Sequence, residues 1–248
     1  MKALITGASS GIGLDMAHYL SSIGYDLVLV ARNMEDIKKS KFNTDVIYES
    51  VDLSNEKNCQ ILYDKYKNKI DILINNAGFG LIGLFNETDI DRELNMIDLN
   101  VKAYHILTKL FLGDFVKRNS GYILNVASSA AFEPGPLMAT YYATKAYVHS
   151  FTLAISEELK KMNSKVKVSC LCPGPVNTNF NKVANCEFTV KSLSSEFVAR
   201  YAIDKMFKNK LLIIPGFSMR FAYHFGKITP IKLKLKIIYG IQHKKVKK

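Results

Sequence analysis

The chain has 248 residues, of which 48% are hydrophobic and 23% are charged, as in an ordinary globular protein. Its four cysteines are too few and too scattered for a disulfide framework. The sequence contains no run of about 18 apolar residues, so we expect no transmembrane helix. The strand pattern at the start leaves no room for a signal peptide, so we expect none. We therefore expect a cytoplasmic protein with reduced thiols.

Short apolar runs rich in β-branched residues alternate with segments of helical length. The predicted strands are Lys2–Thr6, Asp26–Val30, Val46–Val51, Asp71–Asn75, Gly121–Val126, Val166–Cys172 and Leu211–Ile214. The predicted helices are Gly11–Ser22, Asn55–Asn68, Asp89–Lys117, Ala139–Met162 and Ser195–Lys208. This alternation predicts an α/β fold with a doubly wound parallel sheet of about seven strands and helices on both faces.

The first predicted strand runs into a glycine-rich turn, TGASSGIG, which opens the first predicted helix. Gly7, Gly11 and Gly13 have the spacing G-x-x-x-G-x-G. Glycine lets the backbone approach a pyrophosphate closely, and the free N–H groups of a helix start point at negative charge. The turn therefore predicts a dinucleotide phosphate site.

The spacing of this turn resembles that of the short-chain dehydrogenase/reductase family, and further motifs of that family follow in order. They are DL at 52–53, NNAG at 75–78, LNVKA around Asn100, NVASS around Ser128, YYATK at 141–145 and PGPVNT at 173–178. The resemblance covers residues 1 to about 215. It implies a single-domain Rossmann fold and a nicotinamide dinucleotide cofactor.

The resemblance also implies which residues contact the cofactor. They are Gly7, Ser9, Ser10, Gly11, Ile12, Gly13, Arg32, Asp52, Leu53, Asn76, Ala77, Gly78, Tyr141, Lys145, Pro173, Gly174, Val176 and Thr178. In the family, Asp52 would bind the adenine, Lys145 the nicotinamide ribose and Thr178 the carboxamide. A simple helix cap is the alternative for Thr178.

The second predicted strand ends in Ala31 and Arg32, where an NAD-binding protein would carry a carboxylate for the ribose. No carboxylate stands there to repel a 2′-phosphate, and Arg32 can pair with one through a charge-assisted fork. The alternative is an exposed surface arginine. Because NADP-preferring family members resemble this Ala-Arg pattern, we expect NADP(H).

The stretch YYATKA at 141–146 carries two adjacent tyrosines. Residues three and four apart share a helix face, so either Tyr141 or Tyr142 could approach Lys145. Helical geometry alone does not choose between them. The resemblance favours Tyr141, which fits the family pattern Tyr-x-x-x-Lys and follows Ser128 at the family's usual separation.

These residues suit the chemistry of carbonyl reduction. A carbonyl that accepts a hydride must gain a proton at its oxygen, and a free tyrosine, with a pKa of about 10, gives one up slowly. A Lys145 ammonium would lower that pKa, and Ser128 could stabilise the developing charge, although the sequence leaves Ser129 open as well. By resemblance, Asn100 lies at an irregularity of its helix and anchors a water of a proton relay from Lys145; a helix-surface asparagine is the alternative. The five histidines lack metal-ligand spacing.

Three functions remain in view. The first is an NADP(H)-dependent oxidoreductase that interconverts a hydrophobic ketone or aldehyde and an alcohol. The second is a 3-oxoacyl reductase associated with membranes, and the third is a non-catalytic dinucleotide sensor or scaffold. The apolar residues that could line the substrate site, or pack the core instead, are Phe79, Leu81, Phe132, Pro134, Pro136, Leu137, Phe180 and Phe217.

We expect residues 1–215 to form one domain, with 216–248 as a basic extension packed on it or trailing from it. Twelve of the 34 Lys and Arg residues lie between Lys205 and Lys248, where there is no Asp or Glu. This end could contact an anionic membrane or only aid solubility, and we expect no nucleic acid. Residues 231–236 alternate Ile or Leu with Lys as in a strand, whereas Thr229 and Pro230 suit a helix start.

Two further expectations concern a loop and the assembly. Residues 173–194 follow a predicted strand and could form a lid over the ligand crevice or only a long connection. Family members usually pair through long helices, so the resemblance implies a homo-oligomer.

Overall fold

The computed structural model describes residues 1–35, 37–178 and 192–244. Its main sheet contains the strands β1 (Lys2–Thr6), β2 (Asp26–Ala31), β3 (Val46–Ser50), β4 (Ile72–Asn75), β5 (Tyr122–Val126), β6 (Lys167–Leu171) and β9 (Leu212–Ile213). Two short strands, β7 (Val176–Asn177) and β8 (Leu193–Ser194), pair with each other. The predicted seven-stranded sheet is confirmed.

All strands of the main sheet are parallel, in the order β3-β2-β1-β4-β5-β6-β9. The chain winds outward from β1 through β2 and β3, and then returns to β4 on the other side of β1. In such a sheet, a crevice opens beyond the carboxyl ends of the strands where the winding direction reverses. The glycine turn after β1 lies at this point.

The central strands are apolar almost without interruption because helices cover both of their faces. Leu4 and Ile5 of β1 are both fully buried, although neighbouring side chains of a strand point to opposite faces. Ile5 packs in the core on one side of the sheet and Leu4 in the core on the other. The apolar strand sequences therefore reflect a three-layer structure, in which the sheet lies between two layers of helices.

The helices are α1 (Gly11–Ser22), α2 (Glu56–Tyr66), α3 (Ile90–Ile97), α4 (Ala103–Lys117), α5 (Ala139–Lys161), α6 (Ser195–Phe207), α7 (Phe217–Ile228) and α8 (Ile231–His243). Side-chain caps begin three of them. Asn55, Asp89 and Ser194 each accept a backbone N–H of the first turn, of α2, α3 and α6 respectively. Each cap satisfies a donor that the helix itself leaves unpaired.

Residues 90–117 are helical throughout, close to the predicted Asp89–Lys117, but they do not form one uniform α-helix. A π-helical turn, Asp98–Lys102, separates α3 from α4. Asn100 in this turn is fully buried, and its amide bonds both backbone groups of Phe79. Such turns are frequent at functional sites.

Residues 217–243 form two helices, which settles the open choice at 231–236 in favour of a helix. The alternating lysines of α8 do not lie together: Lys234 turns inward, with Nζ 2.7 Å from Glu133 Oε2, while Lys232 and Lys236 remain exposed. The proposed domain boundary at 215 stays a prediction. None of the helices within 1–35, 37–178 and 192–244 has the length and apolar character to cross a bilayer.

Candidate active site

The glycine turn between β1 and α1 is held against the loop after β4. Gly7 has a φ of +65°, and a Cβ on Gly7 would lie 2.7 Å from Ala77 Cα. A Cβ on Gly13 would lie 2.4 Å from Asn76 Nδ2. The Thr6 hydroxyl accepts the backbone N–H groups of Asn76 and Ala77. Only glycine therefore fits at positions 7 and 13, where the two loops meet.

A cavity of about 370 Å³ opens beyond this turn, at the carboxyl ends of the strands. The structure brings together in its lining all the sequence-predicted cofactor residues except Gly13, which lies beneath the turn. Of the four predicted catalytic residues, Ser128, Tyr141 and Lys145 line the cavity and Asn100 does not. Lining residues outside our prediction include Leu99, Ala130, Met138, Tyr142 and Gln242.

Helix α5 carries Tyr141 and Lys145 on its buried face. Lys145 is only 4% exposed, and its Nζ donates a hydrogen bond to the Val126 carbonyl at 3.0 Å. Nζ also lies 6.0 Å from the centre of the Tyr141 ring. Burial lowers the pKa of Lys145 to about 8, because the charged ammonium loses its hydration.

Asn100 lies behind the cavity wall and braces it. Its Oδ1 accepts the Phe79 N–H at 3.1 Å, and its Nδ2 donates to the Phe79 carbonyl at 2.9 Å and to Thr144 Oγ1 at 3.2 Å. A Cβ on Gly78 would lie 2.8 Å from Asn100 Oδ1 and 3.4 Å from Lys145 Nζ. Gly78 thus leaves a narrow gap between the asparagine and the lysine.

Ser128 and Ser129 follow β5, and both line the cavity. The Ser128 hydroxyl accepts the N–H of Ala130 at 3.1 Å, which orients the hydroxyl oxygen and leaves its proton available to another acceptor. The backbone N–H of Ser129 donates to the Pro173 carbonyl at 2.8 Å. This bond ties the serine loop to the loop after β6.

The hydroxyl of Tyr142 is bonded to Gln242 Nε2, at the end of α8. Its ring covers Gly135, where a Cβ would lie 2.2 Å from the ring. Burial raises the pKa of Tyr142. Gln242 is 100 residues away in sequence, so no local pattern could have pointed to it. That Gln242 lines the cavity is seen only in the folded structure.

At the other end of the cavity, Arg32 and Asp52 stand after neighbouring strands β2 and β3. Arg32 is exposed, and its carbonyl accepts the Ser50 hydroxyl at 2.9 Å. Asp52 Oδ1 accepts the N–H and the hydroxyl of Ser54 at 3.0 and 2.8 Å. The guanidinium is therefore available at the cavity rim.

Few of the predicted substrate-wall residues reach the cavity. Phe79 lines it, and Leu81 packs in the cluster that contains Tyr141. The Phe132 ring packs at a tilt against that of Tyr223 of α7, with ring centres 4.5 Å apart, and Phe217 is 79% exposed. Pro134, Pro136 and Leu137 are absent from the lining. Phe180 and residues 179–191 of the predicted lid lie outside the described residues.

The three cysteines that the structure describes do not belong to a metal site. Cys59, Cys170 and Cys172 are buried free thiols, and Cys186 lies outside the described ranges. Within the part of the chain that the structure covers, no three His, Cys, Asp or Glu side chains are grouped so as to hold a metal ion.

Comparison with known proteins agrees with this geometry. The family model for short chain dehydrogenases matches residues 1–187. An uncharacterized oxidoreductase from Staphylococcus saprophyticus is 36% identical over 185 residues, which cover 71% of this chain and 78% of that protein. The rat very-long-chain 3-oxoacyl-CoA reductase is 33% identical over 196 residues, covering 73% of this chain and 61% of the reductase.

Solved structures show the same similarity. A short-chain dehydrogenase from Sphingobium yanoikuyae, in complex with NADPH, superposes on this chain with a TM-score of 0.80 at 27% sequence identity. The superposition covers 91% of this chain and 92% of the Sphingobium chain. The match of the family model, the identity of the relatives and the shared fold lead to one conclusion. This chain belongs to the short-chain dehydrogenase/reductase family.

Proposed function

We propose that the chain is an NADP(H)-dependent oxidoreductase that interconverts a hydrophobic ketone or aldehyde and the corresponding alcohol. The observation that carries the proposal is the meeting of Ser128, Tyr141 and the buried Lys145 in one cavity with the glycine turn. A proton donor, a charged group and a phosphate cradle are the parts that hydride transfer to a carbonyl needs from a protein.

The residues present fit a dinucleotide. Gly7, Gly11 and Gly13 leave out side chains that would otherwise fill the turn, since each added Cβ would lie within 3.0 Å of a neighbouring atom. The turn opens directly onto the first N–H groups of α1, which favour a pyrophosphate. When bound, the nicotinamide ring supplies or accepts the hydride.

The 2′-phosphate of NADP(H) suits the rim around Arg32. Ala31, the last residue of β2, and Arg32, which follows it, occupy the place where an NAD site would hold a carboxylate. The arginine is exposed and can form a bidentate pair with a phosphate. The Sphingobium relative, which was solved with NADPH, supports the same choice.

Tyr141 is our proposed general acid and base. Its phenol donates a proton to the carbonyl oxygen during reduction and takes the proton back during alcohol oxidation. Ser128 donates a hydrogen bond to the same oxygen, and this bond strengthens as negative charge develops there. The adjacent Tyr142 has a different task, because its hydroxyl is engaged by Gln242.

Lys145 supports the phenol through its charge. A lysine with a pKa of about 8 is mostly protonated at neutral pH, so its cation favours the phenolate form of Tyr141. Asn100 is a positioning residue: it fixes the backbone of Phe79 and stands beside Lys145 across the Gly78 gap. We propose that this gap admits the water of a proton relay.

A second candidate is a 3-oxoacyl reductase, also a carbonyl reduction. It is favoured by the similarity to the rat very-long-chain 3-oxoacyl-CoA reductase. Phe79, Leu99 and Met138 give the cavity apolar walls that suit an acyl chain as well as a ring system. A dinucleotide sensor would not need Ser128, Tyr141 and Lys145 together, so their presence favours an enzyme.

Oxidation of NADPH with a panel of ketones, aldehydes and 3-oxoacyl thioesters tests the proposal. We expect turnover with apolar carbonyls, a loss of about 10³-fold in kcat for Tyr141→Phe and a small change for Tyr142→Phe. NADPH binding should survive in both variants. The proposal fails if the protein binds NADPH but reduces no carbonyl of the panel, or if Tyr141→Phe turns over normally.

A further inference from the structure

We propose that helices α7 and α8 dock the protein onto an anionic lipid bilayer. Four large apolar side chains of α7 are between 55% and 79% exposed: Phe217, Phe221, Phe225 and Ile228. The Phe221 and Phe225 rings stack, with centres 6.1 Å apart, rather than pack into the core. So much exposed aromatic surface on one helix is typical of a binding face.

The exposed side chains form one stripe. Successive residues of an α-helix are about 100° apart, so these four positions fall within an arc of about 80°. The opposite side of α7 faces the protein, where Met219 and Tyr223 pack against the core that contains Ile214. The helix thus buries one face in the protein, and no described residue covers its apolar face.

Basic residues flank the stripe. By the same helical geometry, Arg220 and Lys227 lie together on one side of the apolar arc, between it and the buried face. On α8, Leu233, Ile237 and Ile241 are spaced four residues apart and are exposed, as are Lys232 and Lys236. An apolar stripe bordered by Lys and Arg is the pattern of a helix that lies in the headgroup region of a bilayer.

Charge selects the occupant. The segment from Lys205 to Lys248 carries twelve Lys and Arg residues and no acidic residue. Of these, Arg220, Lys227, Lys232 and Lys236 lie exposed on α7 and α8. A symmetric contact between two copies through these helices would bring like charges together, and they would repel. An anionic bilayer instead attracts such a segment and accepts its phenylalanines.

The docking helices also reach the cavity. Met219 of α7 touches Gly174, where a Cβ would lie 2.7 Å from Met219 Cγ, and Gly174 lines the cavity. Gln242 of α8 lines it as well. A bilayer under these helices would therefore lie beside the active site. The docking itself does not depend on the proposed function.

Vesicle sedimentation with the full chain tests the proposal. We expect binding to phosphatidylglycerol-containing vesicles at low salt, weaker binding at high salt and little binding to phosphatidylcholine alone. The double change Phe221→Ser and Phe225→Ser should weaken binding by about tenfold or more. Phe85→Ser removes a phenylalanine of similar exposure, 70% against 64% for Phe221, on another surface and should have no effect.

A fluorescence probe gives an independent readout, because the chain has no tryptophan. Phe221→Trp should shift to shorter emission wavelengths on phosphatidylglycerol vesicles and be quenched by brominated lipid, whereas Phe85→Trp should do neither. The proposal is overturned if wild type ignores anionic vesicles, or if the double variant binds them equally well. It is also overturned if wild type forms an oligomer in solution that does not bind vesicles and the double variant no longer forms that oligomer.

Discussion

Replacing Lys145 by methionine should make the coenzyme-free protein more stable. The lysine is buried, and its pKa falls from an ordinary 10.5 to about 8 because burial removes the hydration of the cation. Each tenfold change in proton affinity is worth about 1.4 kcal/mol, so this fall corresponds to a destabilisation of about 3 kcal/mol at neutral pH.

Little is lost in exchange. Methionine has a similar length and flexibility and suits an enclosed site. The Val126 carbonyl accepts hydrogen bonds from both Lys145 Nζ and the Tyr104 hydroxyl, the latter at 3.2 Å. The carbonyl therefore keeps one hydrogen-bond partner in the variant. After allowing about 1 kcal/mol for the lost hydrogen bond, we expect Lys145→Met to gain about 2 kcal/mol near pH 7.

The gain has a defined pH dependence. Below about pH 8, Lys145 is protonated in both the folded and unfolded states, and the full cost is present. As the pH rises from about 8 toward 10.5, the folded lysine releases its proton first and wild type recovers stability. The advantage of the variant should therefore shrink across this window.

Urea unfolding without coenzyme, at a series of pH values, measures this effect. The matched control is Lys160→Met, which removes a lysine of the same helix whose side chain is 78% exposed; its effect should stay below about 0.5 kcal/mol. The reasoning is refuted if Lys145→Met destabilises the protein near neutral pH, or if its advantage does not change between about pH 8 and 10.

Two substitutions and one pH series on wild type also test the site. Gly13→Ala places a Cβ 2.4 Å from Asn76 Nδ2 and should weaken NADPH binding in calorimetry by about tenfold or more, whereas Gly113→Ala, with open space around it, should not; equal affinities would contradict the cradle. Arg32→Ala should raise KM for NADPH about tenfold and leave that for NADH unchanged; parallel changes would remove the 2′-phosphate role. Carbonyl reduction by wild type should slow as the pH rises through about 8 and Lys145 loses its charge; a rate that is flat to higher pH would show that the cation does not act.

Much of the fold was predictable because the sheet is buried on both faces. Continuous apolar runs such as Leu27–Val30 are typical of strands that helices cover on both faces. The glycine turn marks the start of the first crossover helix. The π-helical turn at 98–102 could not be predicted from the apolar pattern, and only the family resemblance implied an irregularity at Asn100. A π turn keeps the apolar spacing nearly helical, and only the contact of Asn100 with Phe79 shows why the turn widens there.

The cofactor side of the cavity was predictable from motifs, since each motif ends a strand and the strand ends converge at one edge of the sheet. The substrate side was not. Its residues come from separate elements, such as Met138 before α5 and Gln242 at the end of α8, and no fixed spacing relates them. Phe217 was predicted as a wall residue because it is apolar, yet α7 turns it to solvent.

The central claim is that Tyr141 passes a proton to an oxygen while a nicotinamide bound over the glycine turn gives up its hydride. The most direct test uses NADPH deuterated at the transferable position, an apolar ketone, and mass spectrometry of the alcohol formed. The account predicts deuterium in the alcohol from wild type, and unchanged coenzyme affinity but almost no alcohol from Tyr141→Phe. Labelled alcohol from Tyr141→Phe at the wild-type rate would contradict it.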